Sequence, residues 1–99
     1  MNYIWDTAKE MSNQKKHGIS FVQAAQALED ENRLEKYDLV HSTLFEDRYN
    51  VICLFKNEIV LFVTCLFISP EITRIISARK GTRKEIERYY DQENIIRRA

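Results

Sequence analysis

Residues 59–68, with the sequence IVLFVTCLFI, form the longest apolar run of the chain, and this run constrains the fold more than any other segment. It is far too short to cross a bilayer as a helix, which needs about 20 apolar residues. Its β-branched and aromatic residues favour a strand, and both faces of that strand would be apolar. We therefore predict that residues 59–67 form the central strand of a buried sheet.

The segments around this run also carry strand patterns. Residues 45–55 predict a strand, and Lys56-Asn57-Glu58 predicts the turn of a hairpin that leads into the central strand. After a second turn at Ser69-Pro70-Glu71, residues 72–79 predict a third strand. Residues 33–40 predict a further short strand. The chain therefore contains a meander of consecutive strands.

Two helices are predicted before the strands, from their capping residues. Asp6 is a typical N-cap for a helix over about residues 7–16. His17-Gly18 is a typical helix stop, with Gly18 in the left-handed conformation. Ser20 and Gln23 then form a capping-box pattern, which predicts the start of a second helix that ends near residue 29.

A third helix is predicted after the strands. Thr82 and Glu85 repeat the capping-box pattern, and the helix extends to about residue 92 or beyond. Its apolar side comprises Ile86, Tyr89, Tyr90 and Ile96. Two N-terminal helices, an antiparallel β-sheet meander and one C-terminal helix define an α+β fold, with the helices expected on one side of the sheet. We expect residues 1–99 to form a single domain.

Composition narrows the range of functions. Lys and Arg number 15 and so do Asp and Glu, so the formal net charge is zero and gives no overall sign of nucleic-acid binding. Charge is segregated locally, because residues 29–38 are mainly acidic and residues 74–88 are mainly basic. Both segments can simply be charged surfaces in contact with solvent. The basic segment can alternatively form a face that binds phosphate groups.

The sequence also predicts a cytoplasmic protein that does not enter a membrane. Met1 to Ile4 is followed at once by polar residues, so no signal peptide is expected. Cys53 and Cys65 lie inside apolar strand patterns, which is typical of small buried side chains in a reducing compartment. Pairing across the turn at residue 57 puts Cys53 opposite residue 61, so we predict that the two cysteines are not bonded to each other.

No metal or cofactor motif is present. His17 and His41 lack Cys or carboxylate neighbours at ligand spacing, and no glycine-rich phosphate loop occurs. RNA cleavage, however, needs neither, because the 2′-hydroxyl of RNA is itself the nucleophile. A base, an acid and a cation are sufficient, and the chain has candidates for each of these roles.

The candidates for such chemistry each have an alternative role. Histidine titrates near neutral pH, so His17 can act as a general acid or base, or it can cap carbonyls at a helix end. Glu46 can be a base or orient an arginine, or it can simply pair with Arg48 two residues along a strand. Arg74 and Arg79 can offset charge on a phosphate. They are five apart on one predicted strand, so we expect them on opposite faces.

Three segments resemble the BrnT toxins. Residues 5–24, WDTAKEMSNQKKHGISFVQA, are similar to the opening segment of that family, and the matching positions are Trp5, Asp6, Lys9, Asn13, Lys16, His17, Gly18, Phe21 and Ala24. The segment RIISAR at residues 74–79, followed by TRKE and Tyr89, resembles a second family segment. Glu46-Asp47-Arg48 resembles the acidic–arginine strand segment that lies between them.

The resemblance to BrnT implies a RelE-like ribonuclease toxin, which inhibits translation by cleaving RNA without a metal or cofactor. Its implied partners are an RNA substrate and a cognate antitoxin, expected to be of the ribbon-helix-helix type. The antitoxin would neutralise the toxin in a hetero-oligomer, and operator DNA would be reached only through the antitoxin. By position, the resemblance places the active-site neighbourhood at Lys16, His17, Glu46, Arg48, Arg74 and Arg79.

The chain departs from the family pattern in two places. BrnT proteins often have a glycine a few residues after the middle arginine, where this chain has VICL at residues 51–54. They often have Arg or Tyr after the following strand, where this chain has CLFI at residues 65–68. Three functions stay open: an RNA-cleaving toxin, a catalytically degenerate homologue that binds the antitoxin as a co-repressor, and a structural domain. For the first two, we expect the antitoxin to cover the basic surface of Arg79, Lys80 and Arg83.

Overall fold

The computed structural model describes the backbone of residues 2–98 and the side chains of residues 2–92. The elements in this part of the chain are β1 (Asn2–Ile4), α1 (Thr7–His17), α2 (Phe21–Leu28), β2 (Leu34–Tyr37), β3 (Arg48–Phe55), β4 (Ile59–Phe67), β5 (Ile72–Lys80) and α3 (Arg83–Arg98). The predicted α+β class and the order of its helices are confirmed. The side chain of Ile96, predicted to lie on the apolar side of α3, is outside the described residues. None of the described helices is both long and apolar enough to span a membrane.

The capping residues form the helix ends that the sequence predicts. The Asp6 side chain accepts a hydrogen bond from the Lys9 backbone N–H, and Gly18 ends α1 with a φ of 70°. Ser20 and Gln23 make both hydrogen bonds of a capping box at the start of α2. Side chains such as these replace the partners that the first turn of a helix lacks, so each start is determined by local sequence.

The sheet has the order β1-β5-β4-β3-β2, which confirms β4 as the central strand. Strands β2 to β5 follow one another as antiparallel neighbours. The expectation of a purely antiparallel sheet is wrong at one edge, where β1 pairs in parallel with β5. A strand of three residues shows no readable alternation, so the N-terminal segment gave no sign of this pairing.

One face of the sheet is covered by the N-terminal helices. Phe21, Ala24 and Leu28 of α2 pack on alternate residues of β3 and β4, such as Val51 and Val63. Cys53 and Cys65 are buried in this core and are not bonded to each other, and Cys53 lies opposite Leu61 as predicted. Burial raises the pKa of both thiols to about 12.

Helix α3 packs on the opposite face, so the expectation that all helices lie on one side is wrong. Tyr89 is buried against Ile52 and Val60, whose side chains alternate with those of the first core. The Tyr89 hydroxyl donates to Asp30 Oδ2 at 2.5 Å, and Asp30 also accepts from the Leu54 backbone N–H. Because β4 is apolar on both faces, it can support a helix layer on each of them.

Candidate functional site on the open face of the sheet

Part of the α3-side face is not covered by that helix, and it carries polar side chains. We call this region the open face, and it comprises Asp38, Arg48, Asn50, Thr64, Leu66, Arg74 and Ser77. The antiparallel registers define it, because residues directly opposite each other in a ladder share a face. Asp38 joins it by extending the β2–β3 ladder, as its backbone N–H donates to the Arg48 carbonyl at 2.8 Å.

A β-bulge decides which arginines the open face contains. Thr64 lies opposite Ser77 while Cys65 lies opposite Ile75, so Ile76 is an extra residue in β5. As a result Arg74 lies opposite Leu66 and Arg79 lies opposite Phe62, and both point to the same face. The expectation that these two arginines point to opposite faces is wrong, because it assumed an unbroken strand alternation.

Arg48 and Arg74 flank Leu66 in one row across three strands. Both pair with Leu66 in the registers of β3–β4 and β4–β5, so their Cα atoms are two strand spacings apart, about 10 Å. Arg74 is exposed. Arg48 is partly covered, and its Nε is buried without a hydrogen-bond partner in the described structure. A buried donor of this kind is uncommon in proteins and can bind an anion.

Glu46 lies in the loop before β3 rather than on the predicted strand over residues 45–55, which begins at Arg48. The backbone N–H of Glu46 donates to Thr43 Oγ1, and the Glu46 carbonyl accepts from the Thr43 N–H. These local bonds form a turn that competes with strand pairing. The Glu46 carboxylate is 4.0 Å from Arg48 Nη2, so the predicted pair exists only as a long contact. Glu46 and Arg74 both line a small cleft of about 330 Å³ beside Leu66.

Arg79 lies on the same face of the sheet as Arg74, but its guanidinium group already forms an ion pair. Its guanidinium donates to both carboxylate oxygens of Glu85, at 2.8 and 3.0 Å, and lies 4.1 Å from the centre of the Phe62 ring. Glu85 also accepts from the Thr82 backbone N–H in the predicted capping box. Burial acts to raise the pKa of Glu85, but these hydrogen bonds lower it below its usual range. Arg79 therefore fixes the start of α3 to the sheet.

Lys16 and His17 lie at the end of α1, apart from the arginines. Among the described residues, no hydrogen bond or ion pair joins either side chain to Arg48 or Arg74. α1 is attached to β5 by Asn13, whose side chain binds both the N–H and the carbonyl of Ala78. The structure thus groups Glu46, Arg48 and Arg74 and does not place Lys16 or His17 beside them.

Sequence reasoning missed Asp38 and His41, which lie between β2 and β3. The Nδ1 atom of His41 is 2.9 Å from Asp38 Oδ2. Asp38 and Asn50 line a cleft of about 630 Å³, together with the cations Lys36 and Arg88. The signal in the sequence is the spacing of three between the carboxylate and the histidine in a turn, which allows a local side-chain contact.

Metal ligands are not grouped in the described part of the chain. No set of three or more His, Cys, Asp or Glu side chains there could hold a metal ion. The polar groups of the open face are instead guanidinium, amide and hydroxyl groups, with one carboxylate, Asp38, that is bonded to the imidazole of His41. Such a set is suited to binding a phosphodiester and to moving protons near it.

The comparisons with known proteins agree with each other. A family model described as "Ribonuclease toxin, BrnT, of type II toxin-antitoxin system" matches residues 5–85. The crystal structure of the Brucella abortus ribonuclease toxin BrnT is similar to this chain, with a TM-score of 0.62 and 26% sequence identity. That similarity covers 84% of this chain and 99% of the Brucella chain. No protein with a curated description matches the chain.

Proposed function

Because the chain belongs to the BrnT family of ribonuclease toxins from type II toxin–antitoxin systems, we propose that it is an endoribonuclease that cleaves RNA on the open face without a metal ion. The RelE-like character implied by the sequence is part of the same proposal. In it, Arg48 and Arg74 bind the phosphodiester that is cleaved. Glu46 orients Arg48 or acts as a base.

The observation that carries this proposal is the row Arg48–Leu66–Arg74. Two guanidinium groups on one face of a rigid sheet can contact one phosphodiester or two adjacent ones. Among the described side chains, Arg74 has no ion pair and Arg48 has only the 4.0 Å contact with Glu46. Their charge is therefore available to an anion, in contrast to that of Arg79, which Glu85 neutralises.

The chemistry needs little from the protein. The 2′-hydroxyl of RNA attacks the adjacent phosphorus, so no covalent intermediate with the enzyme forms. The protein must hold the phosphate in line, offset the charge that develops on its oxygens, and assist proton transfer. Lys16 and His17 remain proposed participants through the family resemblance, and any role for them requires that RNA extend from the open face to the end of α1.

The proposed partner is a cognate antitoxin in the cytoplasm. The type II family assignment implies such a protein, and a ribbon-helix-helix antitoxin would bind operator DNA on behalf of the complex. The surface of Arg79, Lys80 and Arg83 is our candidate for its contact, since Arg83 is almost fully exposed. In this proposal, the antitoxin bound in the hetero-oligomer neutralises the toxin.

The test is cleavage of RNA by purified protein in the presence of a chelator. We expect Arg48→Ala and Arg74→Ala each to slow cleavage by about 100-fold or more, the usual loss for a group that stabilises transition-state charge. His17→Ala measures the role proposed for α1 and is expected to have a similar effect if that residue transfers a proton.

The matched control is a substitution of a cationic residue that lies outside the open face. Lys56 lies in the β3–β4 turn at the other end of β3, with a φ of 50° that asparagine accepts. The Lys56→Asn protein should therefore cleave RNA at the same rate as the parent protein. Cleavage that is unchanged in both arginine variants would remove the open face from the mechanism. A parent chain that binds the antitoxin but cleaves no RNA would favour the catalytically degenerate homologue instead.

A further inference from the structure

We infer that His41, held by Asp38, is a proton-transfer group of the RNA-cleavage site. The inference rests on the proposed ribonuclease function and adds a residue to it. It also assigns Asp38 as the positioning residue, which acts on RNA only through His41. The loop over residues 38–47 carries both, between β2 and β3.

The first step of the argument is the orientation of the His41 ring. Its Nδ1 lies 2.9 Å from Asp38 Oδ2, while the His41 backbone N–H donates to Asp38 Oδ1 at 3.2 Å. An ionised carboxylate has no proton to donate, so Nδ1 must carry the hydrogen of this bond. In the neutral ring, the lone pair is then on Nε2. The side chain of His41 is 67% exposed, so Nε2 is accessible to a substrate.

The second step is the ionisation of Asp38. Burial acts to raise the pKa of this carboxyl, but hydrogen bonds from His41 and Asn50 outweigh it and lower the pKa below its usual range. Asp38 is therefore negative at neutral pH. A negative charge beside Nδ1 stabilises the imidazolium form, which arises when Nε2 accepts a proton.

The third step is the rigidity of the pair. The Asp38 backbone N–H donates to the Arg48 carbonyl at 2.8 Å, which holds Asp38 at the edge of the sheet. Asp38 and Asn50 line the same cleft, and Asn50 Oδ1 accepts from Thr64 Oγ1 at 2.8 Å. His41 is thus bonded to Asp38 through both its ring and its backbone N–H, and Asp38 is bonded to β3 through its own backbone N–H. Anchoring of the first residue of the loop to β3 limits the movement of the pair relative to the sheet.

The fourth step is the position of the pair relative to the cations. Asp38 lies opposite Arg48 in the ladder, so the imidazole and the Arg48–Arg74 row belong to one end of the sheet. Besides Asp38, the charged groups that face the adjoining cleft are Lys36, Arg88, Glu35 and Glu85, of which Glu85 is paired with Arg79. The loop that carries His41 lines this cleft with Leu39 and Val40, and it lines the cleft beside Arg74 with Phe45 and Glu46.

The reaction can be written in full with these groups. Nε2 of neutral His41 takes the proton of the 2′-hydroxyl as O2′ bonds to phosphorus. The bond between phosphorus and O5′ breaks, and O5′ takes a proton from solvent water. The imidazolium returns its proton to the hydroxide that remains. The products are a 2′,3′-cyclic phosphate and a 5′-hydroxyl end, and no atom is oxidised or reduced.

The experiment measures cleavage of a short RNA by His41→Ala, His41→Gln and Asp38→Asn proteins, in a chelator. We expect both His41 variants to cleave about 100-fold more slowly or worse, the usual loss for a general acid or base. Gln can still donate to Asp38 but cannot transfer a proton, so His41→Gln separates chemistry from folding. Imidazole added to the buffer should restore part of the activity of His41→Ala and none of that of Arg74→Ala.

Asp38→Asn tests positioning rather than chemistry. It removes the charge beside Nδ1 and loosens the hold on the ring, so we expect a loss of about 10-fold in kcat, with KM within about three-fold of the parent value. The His41→Ala, His41→Gln and Asp38→Asn proteins should each bind an RNA with a 2′-deoxy cleavage site within about three-fold of the parent. Leu44→Ala, in the same loop with a side chain 97% exposed, is the control and should match the parent.

The outcomes distinguish this inference from the function it rests on. A parent that cleaves RNA while His41→Gln keeps full activity would overturn the role of His41 and leave the ribonuclease function standing. Loss of activity in His17→Ala but not in His41→Gln would place proton transfer at the end of α1. A parent that cleaves no RNA would overturn both.

Discussion

Asn13 of α1 should be one of the most sensitive positions for stability, although it lies outside the open face. Its side chain is 7% exposed and makes three hydrogen bonds to backbone groups. The amide nitrogen donates to the carbonyls of Ile19 and Ala78, at 3.0 and 2.8 Å. The amide oxygen accepts from the Ala78 N–H at 3.1 Å. Asn13 thus takes the place of a neighbouring strand at this point of β5.

Replacement by alanine leaves all three backbone groups without a protein partner. Each buried polar group left unsatisfied costs about 1–3 kcal/mol, so the lower bound is about 3 kcal/mol. Alanine is the better helix former and returns about 0.5 kcal/mol. We expect Asn13→Ala to lower the free energy of unfolding by about 2.5 kcal/mol or more, which is about 10–20 °C in Tm for a chain of this size.

Urea unfolding followed by circular dichroism measures the change. Gln14→Ala is the matched control, because Gln14 is exposed and its amide bonds only the Glu10 carboxylate one turn earlier, so its loss should cost at most about 0.5 kcal/mol. Asn13→Asp keeps the acceptor but places a negative charge against two carbonyls, so it should destabilise the protein at least as much as alanine. A change below about 1 kcal/mol for Asn13→Ala would refute the reasoning, since the freed groups would then be bonded elsewhere.

Three further predictions address burial, pH and partner binding. Burial raises the pKa of the Cys53 and Cys65 thiols to about 12, so the native protein should react slowly with a thiol reagent at pH 8. The urea-unfolded chain should be labelled at both cysteines, and rapid labelling of the native protein would contradict this prediction. Glu85 has a lowered pKa, so its charge stabilises the fold above the usual pKa of 4.5 and this stability is lost as pH falls. Thermal melts should therefore show Glu85→Gln less stable than the parent at pH 7 and equal to it at low pH, and a difference that persists in acid would point to packing. Arg83→Glu should weaken the antitoxin complex in a titration, and the effect should shrink in high salt; an unchanged affinity would place the contact on another surface.

Several parts of the fold could be predicted because they depend on neighbours in the chain. The N-caps Asp6 and Ser20 bond backbone groups three residues away, so the sequence contains both partners. The bounds of β4 follow from its apolar run, and the free cysteines follow from counting residues across one turn. The candidate cations Arg48 and Arg74 were also predicted, through the resemblance to BrnT toxins.

The sequence alone therefore determined the order of the three helices and of strands β2 to β5, the helix starts and the apolar core strand, since these depend on short-range periodicity and capping. Tertiary structure decided the face on which each functional group lies. One extra residue, Ile76, reverses the alternation of β5 and brings Arg74 and Arg79 to the same side. The ion pair with Glu85 then occupies Arg79, while the turn after β2 brings His41 to Asp38. A bulge or a turn changes the direction in which side chains point, and the residue types alone do not reveal it. The face of each functional side chain could therefore be assigned only once the pairing of neighbouring strands was known.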